Sequence, residues 1–422
     1  MLRLIRTLGS LRFDELQIFG MQLTDHHDFN KIVRKIEKFR VEKAKYKGSY
    51  RKFRKEYLDI ELKNIYHERI KRGETKTRES NDSSLAKFLR TQSSNMRDYA
   101  DACFRYLRIT GLVNVSHVGK SLSIIPERID DVDYILKTVN RKPVFVDEPS
   151  AYSSYLGDAA QPKLLTDNHR MLFMKISNEF PETEISPNAS LDELKDLLAE
   201  LHENRKESLI KKNVTEIKDY RQYDDIQKTF DLIENNELYD TPLMLEWNTW
   251  RAMTMIDGGI IKANLKFDDY GQPLSTASGN MSDIVCDYDD FMVCVEVTMA
   301  CGQRQYEMEG ESVSRHLGKL KTVTGKPCYC LFIAPEINDA CIAHFFLIHR
   351  VDVIYYGGKS TIVPLPLSVF RKMIEDSYKA SYCPDPTYIR RFFEASNTLA
   401  ISCKNEIEWF EKVKEKALHW LL

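Results

Sequence analysis

The sequence predicts an α+β multidomain protein, with a mainly helical amino-terminal region followed by a carboxy-terminal α/β domain built on a central mixed sheet. Three observations lead there. The 422 residues are 43% hydrophobic, 29% charged and 11% aromatic, which is room for two or three ordinary domains and excludes collagen-like, disordered and disulfide-scaffold chains. Apolar residues in the first third recur at helical spacing. After about residue 236, strand-like runs interleave with helix-like ones.

Taken in order, Leu2, Leu4, Ile5, Leu8 and then Leu11, Phe13, Leu16, Phe19 predict two short helices, and Ile32, Ile36, Phe39 fall on one face of a third. Ser94 and Asn95 are suited to cap a helix running through Met96, Tyr99, Cys103, Tyr106 and Leu107 to Gly111. In VNVSHVGKSLSIIPE, Val113 and Val115 alternate, Gly119-Lys120 turns, and Leu122 and Ile124 alternate again. A helix followed by a small hairpin is the outline of a winged helix, so residues 1–140 are expected to be basic, helical and winged-helix-like. Residues 141–235 are expected to be a helical linker, broken by Pro143, Pro149, Pro181 and Pro187. Within it an amphipathic helix has Ser190 as N-cap and Leu191, Leu194, Leu198, Leu201 on one side.

In the third region, 236–422, TPLMLEWNTWRAMTMI predicts a helix with Pro242 near its start. A Gly/Ser-rich loop follows, then two alternating strands. SVSRHLGKLKTV predicts a helix, KPCYCLFIAP and HFFLIHRVDVIYY predict buried strands, and further helices end the chain.

The formal net charge of −2 conceals a dipolar layout. From Lys31 to Lys55 the run KIVRKIEKFRVEKAKYKGSYRKFRK holds only Glu37 and Glu42 as acids, while acids concentrate after residue 180. The basic part is suited to meet a polyanion. The nine cysteines, Cys103, Cys286, Cys294, Cys301, Cys328, Cys330, Cys341, Cys383 and Cys403, are odd in number and mostly lie in apolar runs. That favours reduced core thiols and a cytoplasmic location. No apolar run approaches the roughly 20 residues of a membrane span, and the N-terminus lacks a signal-peptide stretch.

The segment SDIVCDYDDFMVCVEVTM carries the chemistry. Asp289-Asp290 is a two-residue turn signal between alternating runs. That register sets Tyr288 against Phe291, Val285 against Cys294 and Asp283 against Glu296, with Cβ atoms of a directly opposed pair roughly 4.5–5.5 Å apart. Two opposed carboxylates repel, and a divalent cation resolves the conflict. Hard oxygen ligands suit Mg²⁺ better than Zn²⁺. Thr298 falls on the same face as Glu296, where its hydroxyl can order a water.

An acid on a helix, a small-residue loop into a strand acid, and a second acid on the next strand resemble the PD-(D/E)XK nuclease pattern, here SDI and EVT. EWNTWRAM, GNMSDIVCDY, CVEVTM, RHLGKLK and GKPCYCLFIAPEI resemble more closely the cleavage domain of the AlwI-type family of Type IIS restriction endonucleases, which includes nicking relatives. The resemblance is strongest from about 241 to 350 and weaker over the helical N-terminal part, where the family carries DNA-recognition subdomains. It implies a PD-(D/E)XK-like nuclease domain in which Glu246 is the helix-borne acid, Asp283 the bridging metal ligand and Glu296 the second-strand acid. It further implies a carbonyl ligand from Val297, an additional acid at Glu309, and a phosphate or water contact from His316. Read locally, Glu246 is also an acid near a helix start, favoured there by the dipole. Glu309 competes with Glu307 and Glu311 for an inward place, and His316, beside Arg315 and Lys319, also fits a surface helix position.

The sequence departs from the pattern twice: Ser282 stands where a proline is usual, and Thr298 where a lysine is usual. Arg304, Arg315, Lys319 or a second metal then has to supply positive charge. The resemblance also implies a longer recognition region than the one that begins at Met1, so the chain is expected to be truncated or to start internally. The expected function is a Mg²⁺-dependent endonuclease of Type IIS restriction or nicking type, cutting double-stranded DNA near an asymmetric site. A homodimer or a separate small catalytic subunit would serve the second strand. The alternative is a catalytically inactive DNA-binding or partner-docking protein with a nuclease-like domain. A zinc hydrolase would require His344, His349 or the cysteines to converge.

Overall fold

A computed structural model describes residues 1–78, 80–140, 147–158, 160–256, 258–276, 279–380 and 384–422; Pro143 and Cys383 lie outside the described residues. The chain divides into two compact units, Met1–Leu201 and His202–Leu422. The expected linker segment is thus apportioned between them.

The first unit contains α1 (Leu2–Leu8), β1 (Ser10–Arg12), α2 (Phe13–Ile18), α3 (Phe29–Lys45), α4 (Tyr50–Ile65), α5 (His67–Lys71) and α6 (Leu85–Ile109). There follow β2 (Val113–Ser116), β3 (Ser121–Ile124), α7 (Ile129–Thr138), α8 (Pro149–Gly157), α9 (His169–Glu179) and the start of α10 (Leu191–Lys218). The expected helix and hairpin are present as α6, β2 and β3. Two details differ from expectation. Residues 10–12 form a third strand paired with β3, Leu11 opposite Leu122, so the second helix starts only at Phe13. Both leucines are buried, and pairing covers the hairpin's free edge. In addition, α6 begins ten residues before the expected cap: Ser84 Oγ accepts from Lys87 N–H at 3.3 Å. Ser94 and Asn95 lie inside the helix, because Phe88, Met96, Ala100 and Phe104 form one continuous buried face across them.

Ser190 caps α10 as expected: its Oγ accepts from Glu193 N–H (3.3 Å) and its N–H donates to the Glu193 carboxylate (2.6 Å). Leu194 and Leu198 then pack on Leu172 and Ile176.

The second unit holds α11 (Tyr223–Glu234), α12 (Thr241–Ile256), β4 (Ile260–Ala263), β5 (Leu265–Phe267), β6 (Pro273–Thr276), β7 (Ile284–Asp287), β8 (Met292–Val297) and α13 (Gln303–Thr324). It continues with β9 (Cys328–Ala334), α14 (Asp339–Arg350), β10 (Ile362–Pro366), α15 (Leu367–Lys379), α16 (Pro386–Ser402) and α17 (Glu406–Leu418). The central sheet has the order β10-β9-β8-β7-β4. Pairing is antiparallel from β4 to β8 and parallel from β8 to β10, so the sheet is mixed. All six residues of β8 are buried, which requires cover on both faces. Helices α12 and α13 each pack against β8.

HFFLIHRVDVIYY is not a strand. Asn338 Oδ1 accepts from Ala340 N–H (3.0 Å) and starts α14, whose buried residues Cys341, Ile342, Phe345, Phe346 and His349 recur at helical spacing. A short apolar run reads equally as strand or helix until its cap is recognised. The strand expected there is supplied instead by Ile362–Pro366, parallel to β9.

The turn register is as the sequence predicts. Tyr288 N–H donates to the Phe291 carbonyl (3.0 Å), Asp289 takes a positive φ of 69°, and Val285 pairs with Cys294.

Candidate active site

A cavity of about 540 Å³ opens beside the carboxy-terminal end of β8. Each of the five expected site residues lines it: Glu246 from α12, Asp283 just before β7, Glu296 from β8, and Glu309 and His316 from α13. Val297 and Thr298 line it as well. Glu309 and His316 are seven residues apart on one helix and therefore share a face. Crevices at the carboxyl ends of parallel strands are where α/β sheets leave room for ligands.

The β7–β8 ladder ends at Ile284 opposite Val295, so Asp283 and Glu296 are the next step outward and not themselves a strand pair. What fixes Asp283 is its side chain, whose Oδ2 accepts from Val297 N–H at 2.8 Å. Its own carbonyl accepts from Asn264 N–H at 2.8 Å. Glu296, only 4% exposed, shares a hydrogen bond with His316 Nδ1 at 2.9 Å. Thr298 Oγ1 accepts from Ala300 N–H (3.1 Å), which leaves its O–H free to donate into the cavity it lines.

The acids crowd one another. Burial, with the Asp283, Asp240, Glu296 and Glu309 carboxylates behind it, pushes Glu246 up to about 9. Burial raises Asp283 to about 6 although the Val297 N–H bond opposes it. Burial and then Asp283 raise Glu296 well above the carboxylate range, against a hydrogen bond from Ser282. Burial raises Glu309, offset in part by Thr298. His316 is lowered by burial and then by Arg315, leaving a neutral imidazole at neutral pH.

Glu246 Oε2 and His316 Nε2 are buried without a hydrogen-bond partner among the described residues. A cluster of carboxylates raised by burial, with one oxygen that lacks a donor, fits a hard divalent cation such as Mg²⁺, which uses one or two carboxylates and keeps several waters. Among the described residues, the one set of three ligating atoms within 4.8 Å of one another is Asp25, His26 and His27. There the closeness follows from Asp25 capping a turn and accepting from His27 N–H and pairing with its ring. His344 instead bonds Ser314 Oγ (3.0 Å), and His349 bonds Asn397 and the Ile362 backbone, each serving packing.

Of the three cations named as substitutes for the missing lysine, Arg304 lines the cavity. Arg315 and Lys319 instead hold Asn280, at its side chain and its carbonyl respectively. Two residues escaped sequence reasoning. Ser282, in the place of proline, is buried and its hydroxyl acts to lower Glu296 against the effect of burial. Gln305 is fully buried: Nε2 donates to the Ala300 and Glu336 carbonyls (2.9 Å each) and Oε1 accepts from Asn338 N–H (2.7 Å). It thereby ties the start of α13 to the loops after β8 and β9. Nothing in the local pattern marks an isolated Gln for this duty. Gln305→Ala removes the partner of three part-buried backbone groups and is expected to lower stability by about 2 kcal/mol, read as the shift in the urea unfolding midpoint. An unchanged midpoint refutes this role.

Among the described residues, no helix is long and apolar enough to cross a membrane. The sequence signature of the AlwI restriction endonuclease family matches residues 3–373. Among solved structures, the chain is similar to the small subunit of the heterodimeric restriction endonuclease R.BspD6I: 24% identity, TM-score 0.37, covering 46% of this chain and 95% of that one. No curated protein matches the chain.

Proposed function

Since the chain belongs to the AlwI restriction endonuclease family and is thus a restriction-type DNA nuclease, we propose that it is a Mg²⁺-dependent Type IIS or nicking endonuclease whose second unit is a PD-(D/E)XK-like cleavage domain. The observation carrying this reading is the convergence of four carboxylates and a neutral imidazole on one cavity. Asp283 and Glu296 would hold the ion, with the Val297 carbonyl and Glu246 completing the set. Bound there, Mg²⁺ supplies a Lewis acid that acidifies the attacking water and neutralises phosphate charge.

The chain's own groups do the positioning. Val297 N–H orients Asp283 and His316 orients Glu296, while Ser282 and Thr298 act to lower Glu296 and Glu309. His316 Nε2, unpartnered, is left to meet water or the scissile phosphate. Arg304 would provide the charge that Thr298 does not. The α6–β2–β3 element and the basic helices beside it would serve as the winged-helix-like DNA-binding part. One such cavity per chain cuts one strand, so cleavage of both calls for a second copy or a separate small catalytic subunit.

The test is supercoiled plasmid incubated with Mg²⁺, with and without EDTA. Open circles with Mg²⁺ alone are expected, and run-off sequencing of the product then gives the site and offset. Plasmid left supercoiled under both conditions refutes the reading and favours an inactive docking protein.

A further inference from the structure

We infer that the cleft between α4 and the first half of α6 clamps the phosphate backbone of duplex DNA; this rests on the DNA reading above. The fold pairs some cations of the basic run internally and gathers others on one cleft. Lys35 pairs with Glu61 (2.6 Å), Arg40 with the buried Glu15 (2.7 Å), Lys31 with Asp28 (3.7 Å) and Lys38 with Glu42 (3.6 Å). Their charges are matched within the unit. The other set, Arg51, Arg54, Lys55 and Lys63 of α4, converges with Arg90 of α6 on a cleft of about 580 Å³ that contains one carboxylate, Asp59.

Arg54 donates to the neutral Gln17 amide at 3.3 Å. Arg51, Lys55, Lys63 and Arg90 make no ion pair among the described residues. Five cations facing one carboxylate repel one another, and a polyanion is the partner that relieves them. The remaining lining consists of Leu58, Ala86, Leu89 and Ser93. It offers no aromatic face on which a base could stack and no Asn or Gln of the kind that pairs with adenine. What it offers is clustered positive charge from three arginines and two lysines, the side chains that make most phosphate contacts and so fix register on a duplex.

The experiment measures binding to several short duplexes of different defined sequence in EDTA across a salt series. The variant is Arg51→Gln/Lys55→Gln/Arg90→Gln, beside Lys31→Gln/Lys38→Gln as a control from the matched set. All five side chains are exposed, and thermal melting verifies folding of both proteins. The cleft variant is expected to bind about 30-fold more weakly near physiological salt, with a log–log salt slope shallower by about 2 to 3. The control is expected to change affinity by less than about threefold. Unchanged affinity and slope in the cleft variant overturn the clamp and leave the DNA reading standing. An equal loss in the control overturns the distinction between the paired cations and those of the cleft. A cleft-variant loss limited to particular sequences overturns the backbone assignment. Failure of the unsubstituted chain to bind any duplex overturns the clamp and the DNA reading together.

Discussion

Asp283→Ala and Glu296→Ala are each expected to lower nicking of supercoiled plasmid by about 10³-fold, ~4 kcal/mol of transition-state stabilisation, while duplex affinity in EDTA stays within about threefold because the phosphate-facing cations are elsewhere. The two variants fail for different structural reasons, and a second pair separates them. Asp283→Ala loses both a charge and the acceptor for Val297 N–H. Asp283→Asn retains an oxygen that can accept that bond and loses only the charge. If ligation is what matters, Asn is as inactive as Ala but melts closer to the unsubstituted protein. Glu296→Gln likewise keeps an acceptor for His316 and is expected to be as inactive as Glu296→Ala. Cleavage at the unsubstituted rate in Asp283→Asn would mean that Asp283 only shapes the end of β7, and the assignment of the cavity would fall.

How much of this was legible in the sequence depended on how local the signal was. The Asp289-Asp290 turn and the alternation around it set the register of β7 and β8 completely, and with it the neighbourhood of Asp283 and Glu296. The resemblance brought Glu246, Glu309 and His316 to the same list, and the fold brings them to the same cavity. Less visible were interactions whose partners are distant in the chain. The strand at Ser10–Arg12 exists because β3, over a hundred residues away, has a free edge. Gln305 is informative only once the loops at Ala300 and Glu336 are beside it. The basic run read as one polyanion-facing stretch, yet Glu15 and Glu61 neutralise Arg40 and Lys35 from other helices. Charge composition cannot show which cations have found a partner. The run at His344–Tyr356 misled for the opposite reason, since apolar content was clear and only the cap at Asn338 distinguished helix from strand.

Glu246→Gln is expected to raise the melting temperature of the metal-free protein at pH 8 by about 2 to 6 °C while lowering Mg²⁺-dependent nicking by about 10- to 100-fold. The sign follows from the direction of the shift. Burial and the surrounding carboxylates raise Glu246 from 4.5 to about 9 in the folded protein, so the folded state holds its proton more tightly than the unfolded state does. That stabilisation is complete below about pH 4.5 and is lost as pH rises toward 9. Asp283, raised to about 6, and Glu296 add to the same trend. Metal-free protein should therefore lose stability steadily between about pH 5 and 9. Gln at 246 carries no proton to lose, so its melting temperature falls less over that range and the gap between the two proteins widens with pH. On the proposed reading, Mg²⁺ would replace the protons as the counter-charge. Its stabilising effect should grow with pH in the unsubstituted protein and be smaller in the variant, and its binding should release protons, measurable by calorimetry in buffers of different ionisation enthalpy. Stability and activity moving in opposite directions is what a carboxylate kept for cation binding produces. A variant less stable than the unsubstituted protein at pH 8 without metal, with the same pH slope, would show that Glu246 supports the helix and has no part in an ion-binding cluster.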